Sequence, residues 1–330
     1  HIRYGVLNGR DVDYLKELGM EEANLTMLAN PVVEETEKAE KRGKNLPPDI
    51  TKLLVYPTRA IPRKNIGELM LWAALAEPGT HFAITLAPKN PAYKPYYEGW
   101  KSFAQKHHLP VTFEAGKQWS MSYKEMLDAS YGLITTSIAE GFGLVFLENW
   151  LIEKPLFGRN LEAITKDFAG AGIQFKSMYS ELKIPVKWFR KEELISELET
   201  GISGMLRQYG MYDPEKVERW MKELMSDDHI DFGALNSSLQ KQVILRILDN
   251  EQAKTEISPG KLMEVEYSAE EIQQNKTLVQ QKYNLQEYGH RLMEIYTKMA
   301  AAKPGAVDYL PSGKLLDKFL SAENFSLLRM

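Results

Sequence analysis

An α/β fold built on a parallel sheet is predicted for this 330-residue chain, and three observations carry the prediction. Short apolar runs alternate with amphipathic helical patterns from about Thr51 to Phe175. Each apolar run is bounded by Gly, Pro or a Ser/Thr cluster, the residues that break regular structure. Hydrophobic residues make up 44% of the chain, enough at this length to bury a sizeable core. Strands alternating with helices require right-handed crossovers and therefore parallel strands. Ligands of such sheets dock beyond the carboxyl ends of the strands.

Taken in order, residues 2–7 are strand-like and a helical segment follows them. A charged stretch at 34–44 ends in Pro47-Pro48, which marks a linker edge before the core unit that starts near residue 51. Strands are expected at 53–56, 82–86, 111–114, 133–136, 156–157 and 173–175. Helices are expected between them at 66–76, 96–107, 123–129, 146–152 and 163–168. From residue 184 onward only helical patterns are read, at 191–208, 214–226, 235–250, 269–281 and 285–299. The expected units are 1–50, 51–183, 184–268 and 269–330, the third a helical insertion without an assigned role.

Two segments carry chemistry. Thr136 to Asn149, TSIAEGFGLVFLEN, sets Glu140 and Glu148 around a glycine-broken turn between a strand and a helix. The backbone N–H groups of Gly141, Phe142, Gly143 and Leu144 are then unpaired donors at a helix start, where anions dock. Gly141 and Gly143 permit close approach of a ligand to the backbone. Upstream, Leu53 to Leu71 reads as a strand, a loop holding Arg59 and Lys64, and a helix.

Together these segments resemble the C-terminal domain of the family four glycosyltransferases of GT-B fold. There a strand ends in Arg, Lys follows five residues later, and a Glu-seven-residues-Glu motif with EGFGL inside it comes further on, as here. The likeness covers roughly 13–175 and 285–296. It implies a Rossmann-like half of a GT-B fold with an added C-terminal helical region, and transfer of a sugar from a nucleoside diphosphate sugar to an unknown acceptor with retention. Arg59 and Lys64 would hold the diphosphate, because its departure concentrates negative charge that fixed cations stabilise. Glu140 would face the transferred sugar and stabilise an oxocarbenium-like centre as the catalytic carboxylate. Glu148 would reach the ribose, and Gln118 and Trp119 would form part of the base pocket. Arg63 reads as a surface residue. The resemblance also places an acceptor-binding domain before His1, so the chain as given is expected to be an inactive, donor-binding fragment. One departure stands out: Arg159-Asn160 occupies a position where the family carries small residues, and Arg159 is expected to contact phosphate or to form a surface salt bridge.

Composition narrows the partners. A formal charge of −4 with mixed signs offers no basic face for nucleic acid or anionic lipid. With no cysteine there are neither disulfides nor thiolate metal sites, and His81, His107 and His108 lack ligand spacing. No metal and no cofactor beyond the nucleotide sugar is expected. The absence of a membrane-length apolar run or signal peptide makes the cytoplasm the default location. Two other readings share the motifs: a sugar-nucleotide epimerase of the same fold, and a degenerate, non-catalytic binding module.

Overall fold

The computed structural model describes residues 3–33, 46–225, 228–262, 265–301 and 312–329. Its centre is a six-stranded parallel sheet made of β3 (Lys52–Arg59), β4 (Thr80–Leu86), β5 (Val111–Phe113), β6 (Gly132–Thr135), β7 (Leu156–Arg159) and β8 (Met178–Tyr179). The spatial order is β5-β4-β3-β6-β7-β8. The chain winds outward from β3 through β4 to β5, returns to lay β6 beside β3, and winds outward the other way. The gap between the carboxyl ends of β3 and β6 is thus the topological switch point, where a doubly wound sheet leaves a crevice.

Side-chain alternation explains why the sheet is buried on both faces. Leu54, Tyr56, Phe82, Ile84, Ile134 and Phe157 enter one core cluster, while Leu53, Val55, Ala83, Leu133 and Leu156 enter the other. The first face is covered by α2 (Ile66–Ala74), α3 (Lys94–Lys106), α8 (Lys191–Gln208) and α10 (Ser237–Asp249). The second is covered by α5 (Tyr123–Ala129), α6 (Val145–Leu151), α7 (Glu162–Gly170) and α11 (Ala269–Lys282). A separate parallel pair, β1 (Tyr4–Val6) and β2 (Leu25–Met27), flanks α1 (Gly9–Glu17). The remaining elements are α4 (Ala115–Gln118), β9 (Lys183–Pro185), α9 (Pro214–Leu224), β10 (His229–Asp231), α12 (Leu285–Ala300) and α13 (Ser312–Phe319). No helix among the described residues is long and apolar enough to cross a membrane.

The helices at 123–129 and 191–208 lie where the periodicity puts them. Ser122 and Glu125 close the start of α5 with a reciprocal capping box, so its boundary is encoded locally. Three features differ from expectation. The sixth strand is Met178–Tyr179 rather than 173–175. Ile173 and Phe175 are apolar because they pack into the core, and the Gln174 amide and carbonyl between them pair with the Asn275 side chain of α11 instead of a strand. Strands also return after residue 183, where only helices are read, since β9 pairs antiparallel with β10. At three residues each they are too short to show a period. Lastly, Leu194 and Leu198 of α8 and Val243 and Ile247 of α10 share a core with the sheet, so the expected insertion is an integral layer over one face. The charged stretch at 34–44 lies outside the described residues.

Candidate active site

The switch point is assembled by local bonds. After β3 the chain passes through a 3₁₀ turn, Pro62–Lys64, and reaches the buried Asn65 in a left-handed conformation at φ 47° before α2 begins. Just past β6, the Thr136 hydroxyl donates to the carbonyls of Lys64 and Asn65, each at 3.0 Å. The Tyr56 hydroxyl donates to the Lys64 carbonyl at 3.0 Å and lies 3.0 Å from the Ser137 hydroxyl. Burial pushes Tyr56 up to about 12, so it serves there as a neutral donor. The Ile138 amide donates to the Arg63 carbonyl at 3.0 Å. The loop after β3 and the turn after β6 are thereby stitched into one edge.

That stitching brings Lys64 and Glu140 into an ion pair. Arg63 is drawn in as well, donating to the Glu140 carboxylate and to the Ala139 carbonyl, both at 2.9 Å. Arg63 is therefore no simple surface residue: its side chain is 43% exposed, yet its guanidinium is turned onto the motif. Burial alone would raise the Glu140 carboxyl, but Lys64, the Ser137 hydroxyl and Arg63 together hold it below the usual carboxylate range. Lys64 is held below the ordinary lysine range by its own burial, against the raising effect of Glu140, with a smaller lowering from the neighbouring Arg63 charge. Arg59, half-buried at the end of β3, has no side-chain hydrogen bond or ion pair among the described residues.

The glycine turn has two unlike glycines. At Gly143 φ is 87°, and an added Cβ would stand 2.7 Å from Phe146 Cδ2, so only glycine fits. At Gly141 an added Cβ meets nothing within 4 Å. The Phe142 ring is buried against Phe168, at 5.3 Å between centroids. The amides of Gly141, Phe142, Gly143 and Leu144 have no hydrogen-bond acceptor among the described residues. Glu148 lies exposed in the first turn of α6. Sequence reasoning missed a brace on this turn. Asn8, which caps α1, donates to the Gly141 carbonyl at 3.4 Å, and the Gly9 amide donates to Asp167 of α7 at 2.6 Å.

Gln118 and Trp119 are not brought to this edge. They close the short helix α4 rather than a loop, with Gln118 exposed. The Trp119 ring stands 5.9 Å from His81, at the amino end of β4. Arg59 pairs with Leu86 at the other end of that strand, five residues on, a separation of about 16 Å at ~3.3 Å per residue.

Arg159 neither reaches toward a phosphate nor forms a surface salt bridge. It is 4% exposed, with Nε at 3.0 Å and Nη2 at 2.6 Å from the Glu68 carboxylate, and Nη1 and Nη2 at 2.9 and 2.8 Å from Asp231. Burial alone would pull the guanidinium down, but the two carboxylates hold it well above its ordinary range. Glu68, at the centre of the apolar run IGELML in α2, was the available signal. A lone carboxylate in a buried face demands a buried partner.

Beyond Glu140 opens a cavity of about 930 Å³. Its wall includes Arg10 of α1, Asn160 and Glu162 after β7, Asp231, and Arg329 near the chain end; of the expected site residues it takes only Glu140. No group of three or more His, Cys, Asp or Glu suited to a metal ion occurs among the described residues.

No family model matches the chain. Mannosylglucosyl-3-phosphoglycerate synthase of Petrotoga mobilis is 25% identical over 367 aligned positions, which cover 99% of this chain and 68% of that protein. A glycosyltransferase from Rickettsia africae superposes with a TM-score of 0.50 at 12% identity, over 92% of this chain and 64% of that one. TarM of S. aureus superposes with a TM-score of 0.46 at 13% identity, over 89% and 43%. The chain thus spans less than two thirds of either solved protein. Sheet order, the seat of the motifs at the switch point and the superposition on the Rickettsia protein agree that the chain has the GT-B glycosyltransferase fold, in its Rossmann-like half with a helical C-terminal region, and in sequence it resembles the Petrotoga synthase.

Proposed function

We propose that this chain supplies the donor site of a glycosyltransferase that moves a sugar from a nucleoside diphosphate sugar to an acceptor with retention. The observation that carries the reading is the Lys64–Glu140 pair at the switch point, next to the turn whose amides at Gly141 to Leu144 have no acceptor among the described residues. The Arg63–Glu140–Lys64 cluster holds two cations against one carboxylate, and Arg59 ends β3 five residues before Lys64. This surplus of positive charge suits a diphosphate whose negative charge grows as the sugar leaves. In the reaction Lys64 is shared between phosphate and Glu140, and the Glu140 carboxylate, held ionised, faces the electron-deficient sugar carbon. Glu148 accepts from the ribose hydroxyls. Neutralisation by these cations and the helix start makes the site independent of a metal ion, and the protein acts in the cytoplasm.

The acceptor belongs in the cavity beyond Glu140. The synthase relative is named for a glycosylated phosphoglycerate, and an acceptor of that acidic class is proposed here, with Arg10, Lys183 and Arg329 among the cations on a cavity wall that also carries carboxylates. Calorimetry with ADP, GDP and UDP tests the donor site, because binding of any of them should survive chelator yet weaken as salt rises. If the chain binds none of the three, or binds only with magnesium or manganese, the reading is overturned.

A further inference from the structure

Gln240 of α10 is fully buried, and its Oε1 has no hydrogen-bond partner among the described residues. Such an atom disfavours folding, so a residue that carries it needs a compensating task. Its Nε2 donates to Asn65 Oδ1 at 2.9 Å and to the Phe232 carbonyl at 3.1 Å. Room for the side chain is made by Gly67 in the first turn of α2, where an added Cβ would fall 2.0 Å from Gln240 Oε1 and 2.6 Å from Trp100. Gly67 thus makes room for Gln240 and for the Trp100 ring together.

The recipient of that contact is the hinge beside Lys64. Asn65 adopts a left-handed conformation that is costly for a residue with a side chain. Its amide is held from both ends: Oδ1 by Gln240, and Nδ2 by Glu68 at 2.7 Å. Glu68 is fixed in turn by Arg159 of β7 and by the Tyr179 hydroxyl at 2.7 Å, and Arg159 is fixed by Asp231 of β10. All these groups converge on one peptide, and Lys64 is the residue before it.

Resting on the donor-site reading above, we propose that Gln240 and Glu68 are positioning residues for the transfer. They hold Asn65 left-handed and thereby aim Lys64 at Glu140 and the donor diphosphate. The helical layer after residue 183 is then part of the donor site through α10, although none of its side chains meets the donor.

The test uses the full chain with Gln240→Met, which removes the donor and the unpaired oxygen while keeping volume, and Glu68→Gln as the isosteric second variant. Asp317→Asn, which breaks the remote Lys216–Asp317 pair, is the control for general destabilisation. Gln240→Met should weaken binding of the best of ADP, GDP and UDP about tenfold, with the control within about twofold of wild type. Adding Asn65→Gly should restore most of that affinity, because glycine adopts the left-handed conformation without help. In the ligand-free protein, the Lys64 13Cε resonance should move in Gln240→Met and in Glu68→Gln and stay in place in the control. This second measurement separates two failures. If wild type binds none of the nucleotides, the donor reading falls and the Lys64 resonance alone decides the positioning role. An unmoved Lys64 resonance in both variants overturns the proposal, as does a loss of affinity that Asn65→Gly leaves unrestored.

Discussion

Two charged clusters lie on either side of Asn65, four residues apart in the chain, and they are built on opposite plans. At the edge of the sheet, two cations, Arg63 and Lys64, face one carboxylate, Glu140, and the Arg63 side chain remains 43% exposed. Beneath it, one cation, Arg159, faces two carboxylates, Glu68 and Asp231, with Glu68 wholly buried. The excess negative charge below is met by the Tyr179 hydroxyl, the Asn65 amide and the Leu182 backbone amide, each within 2.9 Å. The lower cluster is paired within itself and meets the cavity only through Arg159 and Asp231, whereas the upper one keeps a surplus of positive charge at the sheet edge. Similar residue types thus yield a brace in one place and the proposed anion site in the other, and burial and stoichiometry decide which.

The largest effect should come from breaking the closed cluster. Arg159→Leu leaves the buried Glu68 and the partly exposed Asp231 without their cation and should cost about 3–5 kcal/mol in urea unfolding. Lys64→Gln in the upper cluster leaves Arg63 on Glu140 and should cost about 1 kcal/mol or less. Equal losses in the two variants would erase the distinction between brace and site. Next in size is ligand affinity, which should respond only at the open edge. Arg59→Ala and Glu148→Ala should each weaken the best-binding nucleoside diphosphate by about 1.5–3 kcal/mol, roughly ten- to hundred-fold. Affinity unchanged in both, by calorimetry, would remove the site from this edge. The glycine turn between the clusters sharpens the comparison further. Gly143→Ala, at φ 87° and against Phe146, should destabilise the fold by about 1–3 kcal/mol, while Gly141→Ala, in open space, should stay within about 0.5 kcal/mol.

What the sequence disclosed follows the same division. The open edge follows residues at fixed spacing, and the sequence offered Arg59, Lys64, Glu140 and Glu148 as site candidates because residue type and local turn geometry are readable there; the structure brings Lys64 and Glu140 together. The sheet was legible too, since apolar runs such as Leu53 to Tyr56 report burial directly. The brace was not, because its members lie at 68, 159 and 231, on three elements joined only by the fold. Arg63 is exposed, as read, but its bonds to Glu140 and Ala139 were not legible, since those partners are supplied by the pairing of β3 with β6 and not by any neighbour in sequence. The 173–175 run misled because side-chain burial and strand pairing are separate properties, and Asn275 satisfies the backbone there.

The smallest expected effect concerns acid, and its sign follows from the open cluster alone. Glu140 is held below the usual carboxylate range by Lys64, Ser137 and Arg63 acting against the burial that would raise it. A carboxyl whose folded value lies below its unfolded one contributes stability that is present above the unfolded value of about 4.3 and is lost as pH falls through the folded value. Lys64→Gln removes the strongest of the lowering partners, so in that variant the folded value climbs toward the unfolded one. The stability gap between wild type and Lys64→Gln should therefore be widest near pH 7 and close on acidification. Its full size should be about 1 kcal/mol or less, because Arg63 remains in place. Urea midpoints measured from pH 7 down to about pH 3 read this directly. A gap that holds constant or widens over that range would mean that Glu140 does not depend on Lys64, and the cluster at the sheet edge would then be as closed as the one beneath it.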